Sequence, residues 1–550
     1  MLKISLCQIN PWVGHISYNL EKIKNAYFSC VEKDADLVVF PECAATGYPL
    51  EDLVLKPHFM EKVQTAVQEF TLMTSSQKAG VILGCPWLEQ GNIINAALFI
   101  HSGRIKQVIS KCALPNYGVF DEKRVFEHGL LQSPLSCNDF SIGVMICEDM
   151  WGPEPALHSK QKGADCLLII NGSPFDVRKD DRRKEEARTR VKETGLPLIY
   201  LNLVGGQDNL IFDGRSFILN EKGDVISQFS AFSESINHIT LSKQVGKLIL
   251  SADSNENEED KNGLLYRALV LGLKDYVEKN HFGGVLLGLS GGIDSAISAA
   301  IAVDALGADR VACVMMPSPY TSKESFEDAE AIAKALNISY DIVSIEPAMN
   351  AYSSMLSDKF KGKKQDTTEE NIQSRARGMV LMALSNKMGW MVLSTGNKSE
   401  MAVGYATLYG DMCGGYNTLK DVYKTEVFAL SRWRNKNFHS DFLGPNGEVM
   451  PERVITKPPS AELKPDQKDQ DSLPEYETLD AILYGLIEQD ASVEEIAKSG
   501  LPQKDVMRVF KMLDRAEYKR RQSPPGPKVT VKALSLERRY PITNGFILNL

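Results

Sequence analysis

The run Val285–Ala296, VLLGLSGGIDSA, restricts the fold more than any other stretch of the chain. An apolar segment of strand length ends in two adjacent glycines flanked by Ser290 and Ser295, and a helix-forming run follows. Adjacent glycines let backbone N–H groups approach an anion closely. Hydroxyl donors and a helix N-terminus at the same place favour negative charge. The spacing GxxxxGK[ST] is absent, so this is a phosphate cradle of another kind. Around it, a helical pattern over Leu264–Lys279 precedes strands at Arg310–Met316, Ser339–Ile345 and Trp390–Ser394, with helical patterns over Ser322–Leu336 and Thr368–Lys387 between them. Strands separated by helices of this length require crossover connections, hence a doubly wound parallel sheet. Lys457–Ser472 reads as a polar, Pro-containing mobile loop, and the segment from Tyr476 as mostly helical.

The 550 residues exceed one ordinary domain. The break falls at the acidic stretch SADSNENEEDKN, Ser251–Asn262, which is polar throughout except for Ala252. The expected division is a first domain over 1–248, a linker over 249–262 and a second domain over 263–550. The first part is a series of short apolar runs, Ile4–Ile9, Leu37–Phe40, Val81–Cys85, Ala96–Ile100, Ile105–Ser110, Ser141–Ile146, Cys166–Ile170 and Leu198–Leu203. Such runs fit strands buried on both faces of a layered α/β fold. Hairpin turns are expected at Ser102-Gly103 and Lys222-Gly223. A net charge of -9 argues against a nucleic-acid partner. No apolar stretch is long enough to span a bilayer, and no secretory segment is seen, so a cytoplasmic location is expected. The 10 cysteines form no CxxC pair and read as reduced core thiols, with one exception.

That exception is Cys147, which follows the run Ser141–Ile146 just as Glu42 follows Leu37–Phe40 and Lys111 follows Ile105–Ser110. Each alone fits a core thiol or a solvated rim charge. Together a carboxylate, an ammonium and a thiol at strand ends make a nucleophilic site. The carboxylate takes the thiol proton and returns it to a leaving amine, while the ammonium stabilises thiolate and oxyanion. The surrounding words Phe40-Pro41-Glu42, Lys111 with Leu114-Pro115-Asn116-Tyr117 and Asp121-Glu122, and Ile146-Cys147-Glu148-Asp149 resemble the nitrilase (carbon–nitrogen hydrolase) superfamily over about residues 1–245. The resemblance implies an α-β-β-α sandwich. It casts Glu42 as general base, Lys111 as transition-state stabiliser and Cys147 as the nucleophile that forms a thioester. It adds Glu122 as an auxiliary glutamate, with Tyr117, Ser173 and Lys179 holding glutamine. Arg178 and Arg182 stand as alternatives to Lys179 for the cation that meets the glutamine carboxylate.

The SGGIDS turn resembles the PP-loop of ATP pyrophosphatases, whose members adenylate an oxygen and release pyrophosphate. Four further words decide among them: Glu370–Arg377 (ENIQSRAR), Leu393–Glu400 (LSTGNKSE), Tyr409–Lys424 (YGDMCGGYNTLKDVYK) and Lys457–Leu463 (KPPSAEL). In this order they resemble NAD synthetases. With the nitrilase-like part in front, essentially the whole chain is similar to the glutamine-dependent form. The resemblance implies that Gly288, Leu289, Ser290, Gly291, Gly292, Ile293, Asp294, Ser295 and Thr395 contact ATP, a co-substrate. Asp294 and Glu400 would hold Mg2+. Asn371, Glu400, Lys424 and Lys519 would face deamido-NAD, although Lys519, in the basic run YKRR, fits a solvated surface equally. Asp411 reads as a site carboxylate or a turn residue, and Cys413 as structural. The implied reaction is amidation of deamido-NAD with glutamine-derived ammonia passed between domains, by a homo-oligomer. Competing readings are an amidotransferase that adenylates another nucleotide or a tRNA base, and a nucleotide-sensing scaffold with a dead amidase. Ligand-induced shifts in melting temperature and thiol labelling of Cys147 discriminate them.

Overall fold

In the computed structural model the described residues are 1–244, 247–252, 259–465, 467–534 and 536–546. They form two units, Met1–Glu259 and Asp260–Leu550.

The first unit runs β1 (Leu2–Gln8), α1 (Ile16–Glu32), β2 (Leu37–Val39), α2 (Pro57–Met73), β3 (Gly80–Glu89), β4 (Asn92–His101), β5 (Arg104–Ser110), β6 (Leu135–Cys137) and β7 (Phe140–Ile146). It continues through α3 (Glu154–Gln161), β8 (Cys166–Asn171), α4 (Lys179–Thr194), β9 (Leu198–Asn202), β10 (Val204–Gln207), β11 (Leu210–Asp213), β12 (Phe217–Leu219), β13 (Val225–Gln228), β14 (Ser235–Gln244) and β15 (Lys247–Ala252). One sheet has the order β15-β14-β1-β2-β3-β4-β5 and the other β13-β12-β9-β8-β7-β6, with β10 and β11 as a separate ribbon. Their side chains show why the sequence reads as unbroken apolar runs. Leu37 and Val39 point to the core between the sheets, where they meet Ile142, Ile146, Leu168 and Ile170. Val38 and Phe40 point the other way, toward Ile23 and Tyr27 of α1 and Val63 and Val67 of α2. On the far side Leu167 and Ile169 pack with Ala187 and Val191 of α4. Both sheets are thus covered on both faces, giving the expected four layers. The turn between β4 and β5 has Ser102 and Gly103 both at positive φ, as a two-residue hairpin requires, and Gly223 has positive φ between β12 and β13.

Two strands lie where the sequence showed little pattern. β14 pairs with β1, and β15 pairs with β14 as far as Ala252. Residues 249–252, assigned to the linker, therefore belong to a sheet. The rest of that linker up to 258 lies outside the described residues.

The second unit opens with α5 (Lys261–Lys279), whose first two residues fall inside the expected linker. Then come β16 (Val285–Gly288), α6 (Ile293–Leu306), β17 (Val311–Met315), α7 (Lys323–Leu336), β18 (Ser339–Ile342), α8 (Glu346–Phe360), α9 (Thr367–Met388), β19 (Met391–Ser394), α10 (Lys398–Val403) and β20 (Tyr416–Asn417). The helices α11 (Lys424–Lys436), α12 (Glu452–Thr456), α13 (Tyr476–Ile487), α14 (Val493–Lys498), α15 (Gln503–Arg515) and α16 (Glu517–Arg520) complete it. The five strands are all parallel, in the order β18-β17-β16-β19-β20. The order reverses between β16 and β19, which makes the crevice beyond their C-terminal ends the place where ligands bind in such sheets. The segment expected to be a mobile loop is tied down. Glu462 accepts from the hydroxyls of Ser322 and Ser325 at 2.8 Å each, and Asp469 accepts from Tyr476 at 2.8 Å.

Candidate active sites

In the first unit, three strand ends deliver three groups to one buried spot. Glu42 follows β2, Lys111 follows β5 and Cys147 follows β7. The Lys111 ammonium donates to Glu42 Oε1 at 2.8 Å and to Glu122 Oε1 at 2.9 Å, with all three side chains at most 3% exposed. It has a third donor, to which no described residue is bonded. β3 passes close beside the Glu42 turn: a Cβ on Gly84 would lie 2.1 Å from the Pro41 carbonyl, so only glycine fits there. Cys147 has φ +47, a strained value for a non-glycine residue, at the first position of a 3-10 turn, Cys147–Met150. Asp149 holds that turn in place. Its carboxylate accepts from the Ile146 N–H at 3.0 Å, the Cys112 N–H at 2.9 Å and the Ala113 N–H at 2.7 Å. One carboxylate thereby ties the Cys147 turn to the segment that follows Lys111.

Electrostatics follow from burial. Desolvation pushes the Cys147 thiol well above its ordinary range, the Glu42 charge adds to this, and Lys111 opposes it. Burial works against the Lys111 ammonium, but Glu42 and Glu122 outweigh it and hold its pKa well above the usual range. Burial raises Glu122 to about 7 against the pull of Lys111. Glu122 Oε1 also accepts from Tyr48 at 2.8 Å, while its Oε2 is buried without a partner.

The residues expected around glutamine lie about this centre. Tyr117 donates to both oxygens of Glu148, next to Cys147, at 3.0 Å. Lys179 is buried, with its ammonium 4.7 Å from the centre of the Trp151 ring, whereas Arg178 and Arg182 are exposed. Ser173 is held from behind. Arg183 donates to its hydroxyl at 3.1 Å and its carbonyl at 2.6 Å, and is itself paired with Asp213 at 2.8 Å in a fully buried ion pair. The sequence reading passed over Asn95, Tyr48, Arg183 and Asp213. Their roles depend on which strands become neighbours, and no local pattern marks them.

In the second unit the PP-loop follows β16 and Thr395 follows β19, so these expected ATP contacts meet at the strand-order reversal. Gly291 has φ +81, and a Cβ there would meet the Ser325 carbonyl at 2.4 Å. Ser295, buried in the first turn of α6, accepts with its hydroxyl from the Ser290 N–H at 3.2 Å, and the Ser290 hydroxyl accepts from the Gly292 N–H at 3.2 Å. Lys424, the first residue of α11, bridges Asp294 and Glu400, at 3.3 Å to the latter. Asn397, which caps α10, also donates to Asp294 at 2.9 Å. Burial raises the Glu400 carboxyl to about 8; Lys424 opposes this and Asp294 adds to it. Asp294 and Glu400 are hard oxygen donors facing one cation, a set that suits Mg2+ when phosphates and water complete its shell. Among the described residues no group of three or more His, Cys, Asp or Glu is placed to hold a metal by itself.

The helix α9 presents two working faces. Asn371 accepts from the Thr407 hydroxyl at 2.9 Å and Arg375 donates to the Leu408 carbonyl at 3.1 Å, while Gln373 and Arg377 donate to the carbonyls of Leu463 and Met316. Asp411 is a turn residue, bonded to the Ser374 hydroxyl and the Thr407 N–H. Lys519 spends two donors on the carbonyls of Gly404 and Ala406, both at 2.8 Å.

The family model described as carbon-nitrogen hydrolase matches residues 3–248, and the one described as NAD synthase matches residues 265–523. A glutamine-dependent NAD(+) synthetase of Rhodobacter capsulatus is 46% identical over 98% of this chain and 98% of its own. One from Acinetobacter baylyi is 44% identical over 99% and 98%. The solved structure of a glutamine-dependent NAD+ synthetase from Acinetobacter baumannii, in complex with ADP, shares 41% identity over 99% of both chains with a TM-score of 0.78.

Proposed function

From the premise that this chain belongs to the glutamine-dependent NAD(+) synthetases, ligases that use ATP to amidate deamido-NAD with nitrogen from glutamine, we propose how its residues divide the work. The observation that carries the reading is the pair of lysine–carboxylate centres, one beside a strained cysteine and one beside a glycine loop.

In the first unit Glu42 accepts the Cys147 proton and Cys147 attacks the side-chain amide of glutamine. Lys111, with its third donor, stabilises the oxyanion of the tetrahedral intermediate. The proton returns to the leaving nitrogen, ammonia departs, and water hydrolyses the thioester to glutamate. The partnerless Oε2 of Glu122 accepts from the substrate amide N–H. Lys179 meets the glutamine carboxylate, with Tyr117 and Ser173 beside it; its burial beside Trp151 supports it over Arg178 and Arg182.

In the second unit Gly288–Ser295 and Thr395 hold ATP, a reading favoured by the ADP in the Acinetobacter baumannii relative. The nicotinate carboxylate of deamido-NAD attacks the α-phosphate, giving an adenylate and pyrophosphate, and ammonia then displaces AMP. Asp294 and Glu400 would hold Mg2+, which would neutralise charge on the phosphates. Asn371, Glu400 and Lys424 face the dinucleotide, and Lys519 can join them with its remaining donor. Ammonia in bulk water at neutral pH is mainly non-nucleophilic ammonium, so its transfer between the two reactions is sheltered from solvent.

We place the enzyme in the cytoplasm, in keeping with ten free thiols. A homo-oligomer is favoured by α8, which has no buried residue and leaves Tyr352 and Met355 exposed, and by Met379 of α9 at 66% exposure. The test of the division of labour is NAD formation from deamido-NAD, ATP and Mg2+. Cys147→Ala should abolish it with glutamine and preserve it with high ammonium. Loss with both nitrogen sources would overturn the reading.

A further inference from the structure

Asn95 of β4 carries a second inference, which rests on Glu42 being the general base. It is completely buried. Its side-chain Nδ2 donates to Glu42 Oε1 at 2.7 Å, and its backbone carbonyl accepts from the Lys111 N–H at 2.8 Å. One residue thus fixes the carboxylate of the base and the main chain of the stabilising lysine. The orientation of its amide is determined by what lies on either side. Flipped, its carbonyl oxygen would face a carboxylate oxygen. On the other side the Cys43 thiol donates to Asn95 Oδ1 at 3.7 Å. Burial, then the Glu42 charge, raise the Cys43 pKa well above the ordinary range, so it stays a protonated donor.

Counting acceptor sites gives the consequence. A carboxylate oxygen offers two lone pairs. Those of Glu42 Oε1 are taken by Lys111 and Asn95. Oε2 accepts only the Gly172 N–H, at 2.6 Å, which leaves one site open. We propose that Asn95, oriented by the Cys43 thiol, is a positioning residue that saturates Oε1 and so makes the open site on Oε2 the proton acceptor for Cys147. Without it, a second acceptor site opens on Oε1, the proton-accepting atom is no longer defined, and the ionised form loses a donor. The titratable groups around Glu42 are Lys111, Glu122, Tyr48, Cys43 and Cys147, none of which can replace the Asn95 amide.

The test is glutaminase kinetics of the full-length enzyme across pH for Asn95→Ala, Cys43→Ala, Cys43→Ser and Glu42→Gln. Asn95→Ala should lower kcat about 10-fold or more, part of the roughly 10²–10⁴ that a general base supplies, with KM for glutamine within about 2-fold. The acid limb of its pH profile should move to higher pH, because the carboxylate has lost a donor. Cys43→Ala should give a smaller loss of the same kind, and Cys43→Ser, which keeps a donor, should restore the rate. Partial misfolding of the Asn95 variant would lower kcat at unchanged KM without moving the limb, and the two Cys43 variants then decide. If Glu42→Gln abolishes the glutaminase while Cys43→Ala behaves as Cys43→Ser and no Asn95 variant moves the acid limb, the positioning role is wrong and the base stands. If Glu42→Gln keeps its activity, the underlying assignment of the base fails.

Discussion

Both units place a lysine between two carboxylates: Glu42–Lys111–Glu122 in one, Asp294–Lys424–Glu400 in the other. The surroundings decide what each triplet can do. In the first, the carboxylates are 0% and 3% exposed, and a strained cysteine stands beside them. Water is excluded and charges interact strongly, which suits the proposed proton exchange with Cys147. In the second, the lysine is as buried but the carboxylates are 19% and 18% exposed, at the mouth of a glycine loop. Those oxygens can reach ions and phosphates that arrive from solution. The same three charges therefore suit the proposed acid–base chemistry where they are sealed and the proposed charge neutralisation where they are open.

The strongest way to break this comparison is Asp294→Ala. If the second triplet serves the ATP half-reaction alone, NAD formation should fall at least about 10³-fold with glutamine and with ammonium, given how much of phosphoryl-transfer catalysis is electrostatic. Conversion of glutamine to glutamate should remain measurable. A variant with intact ATP turnover would remove Asp294 from the nucleotide site.

A second test concerns the cost of sealing the first triplet. Glu122 titrates at about 7 in the folded protein against an ordinary 4.5, chiefly through burial. Between those values the folded protein holds the proton more tightly than the unfolded chain, so stability falls as pH rises through that window. Glu122→Gln keeps an oxygen for Lys111 and Tyr48 but has no such titration. Its stability relative to wild type should therefore increase from pH 5 to pH 8, by up to about 3 kcal/mol. Denaturant melts at the two pH values measure this. A difference that does not change with pH would mean Glu122 is ionised without penalty.

The contrast between the triplets was only half legible in the sequence. Each functional word could be read because it sits at the end of an apolar run, and runs buried on both faces stand out: DLVVFPE, SIGVMICED and VLLGLSGGIDS all lie at strand ends in the fold. What could not be read is the pairing that brings the words together. Glu122 bonds Lys111 and Tyr48 from a short irregular turn, and Asn95 reaches Glu42 because β4 runs antiparallel to β3. β15 was missed because LILSA runs straight into the acidic stretch, and its partner β14 is half-buried without strict alternation. That Lys179 is buried while Arg178 and Arg182 are exposed likewise depends on the start of α4, which fixes which side chain turns inward.

That lysine gives the sharpest counterpoint to the other two. Lys111 and Lys424 are buried between carboxylates and are held above the ordinary ammonium range. Lys179 is buried without such a pair: burial, with Arg183 next, lowers it to about 8, and Asp176 only partly offsets this. A lysine so poised is charged at neutral pH and loses its proton above about pH 8. If it meets the carboxylate of glutamine, kcat/KM for glutamine should decline above that pH, about 10-fold by pH 9, while kcat at saturating glutamine holds. The reason is that kcat/KM reports the free enzyme, whereas in the complex the substrate carboxylate holds the lysine protonated. Lys179→Arg should shift the decline out of the accessible range, since a guanidinium does not deprotonate there. A wild-type profile in which kcat/KM stays flat through pH 9 would take the carboxylate away from Lys179 and leave Arg178 or Arg182 to receive it.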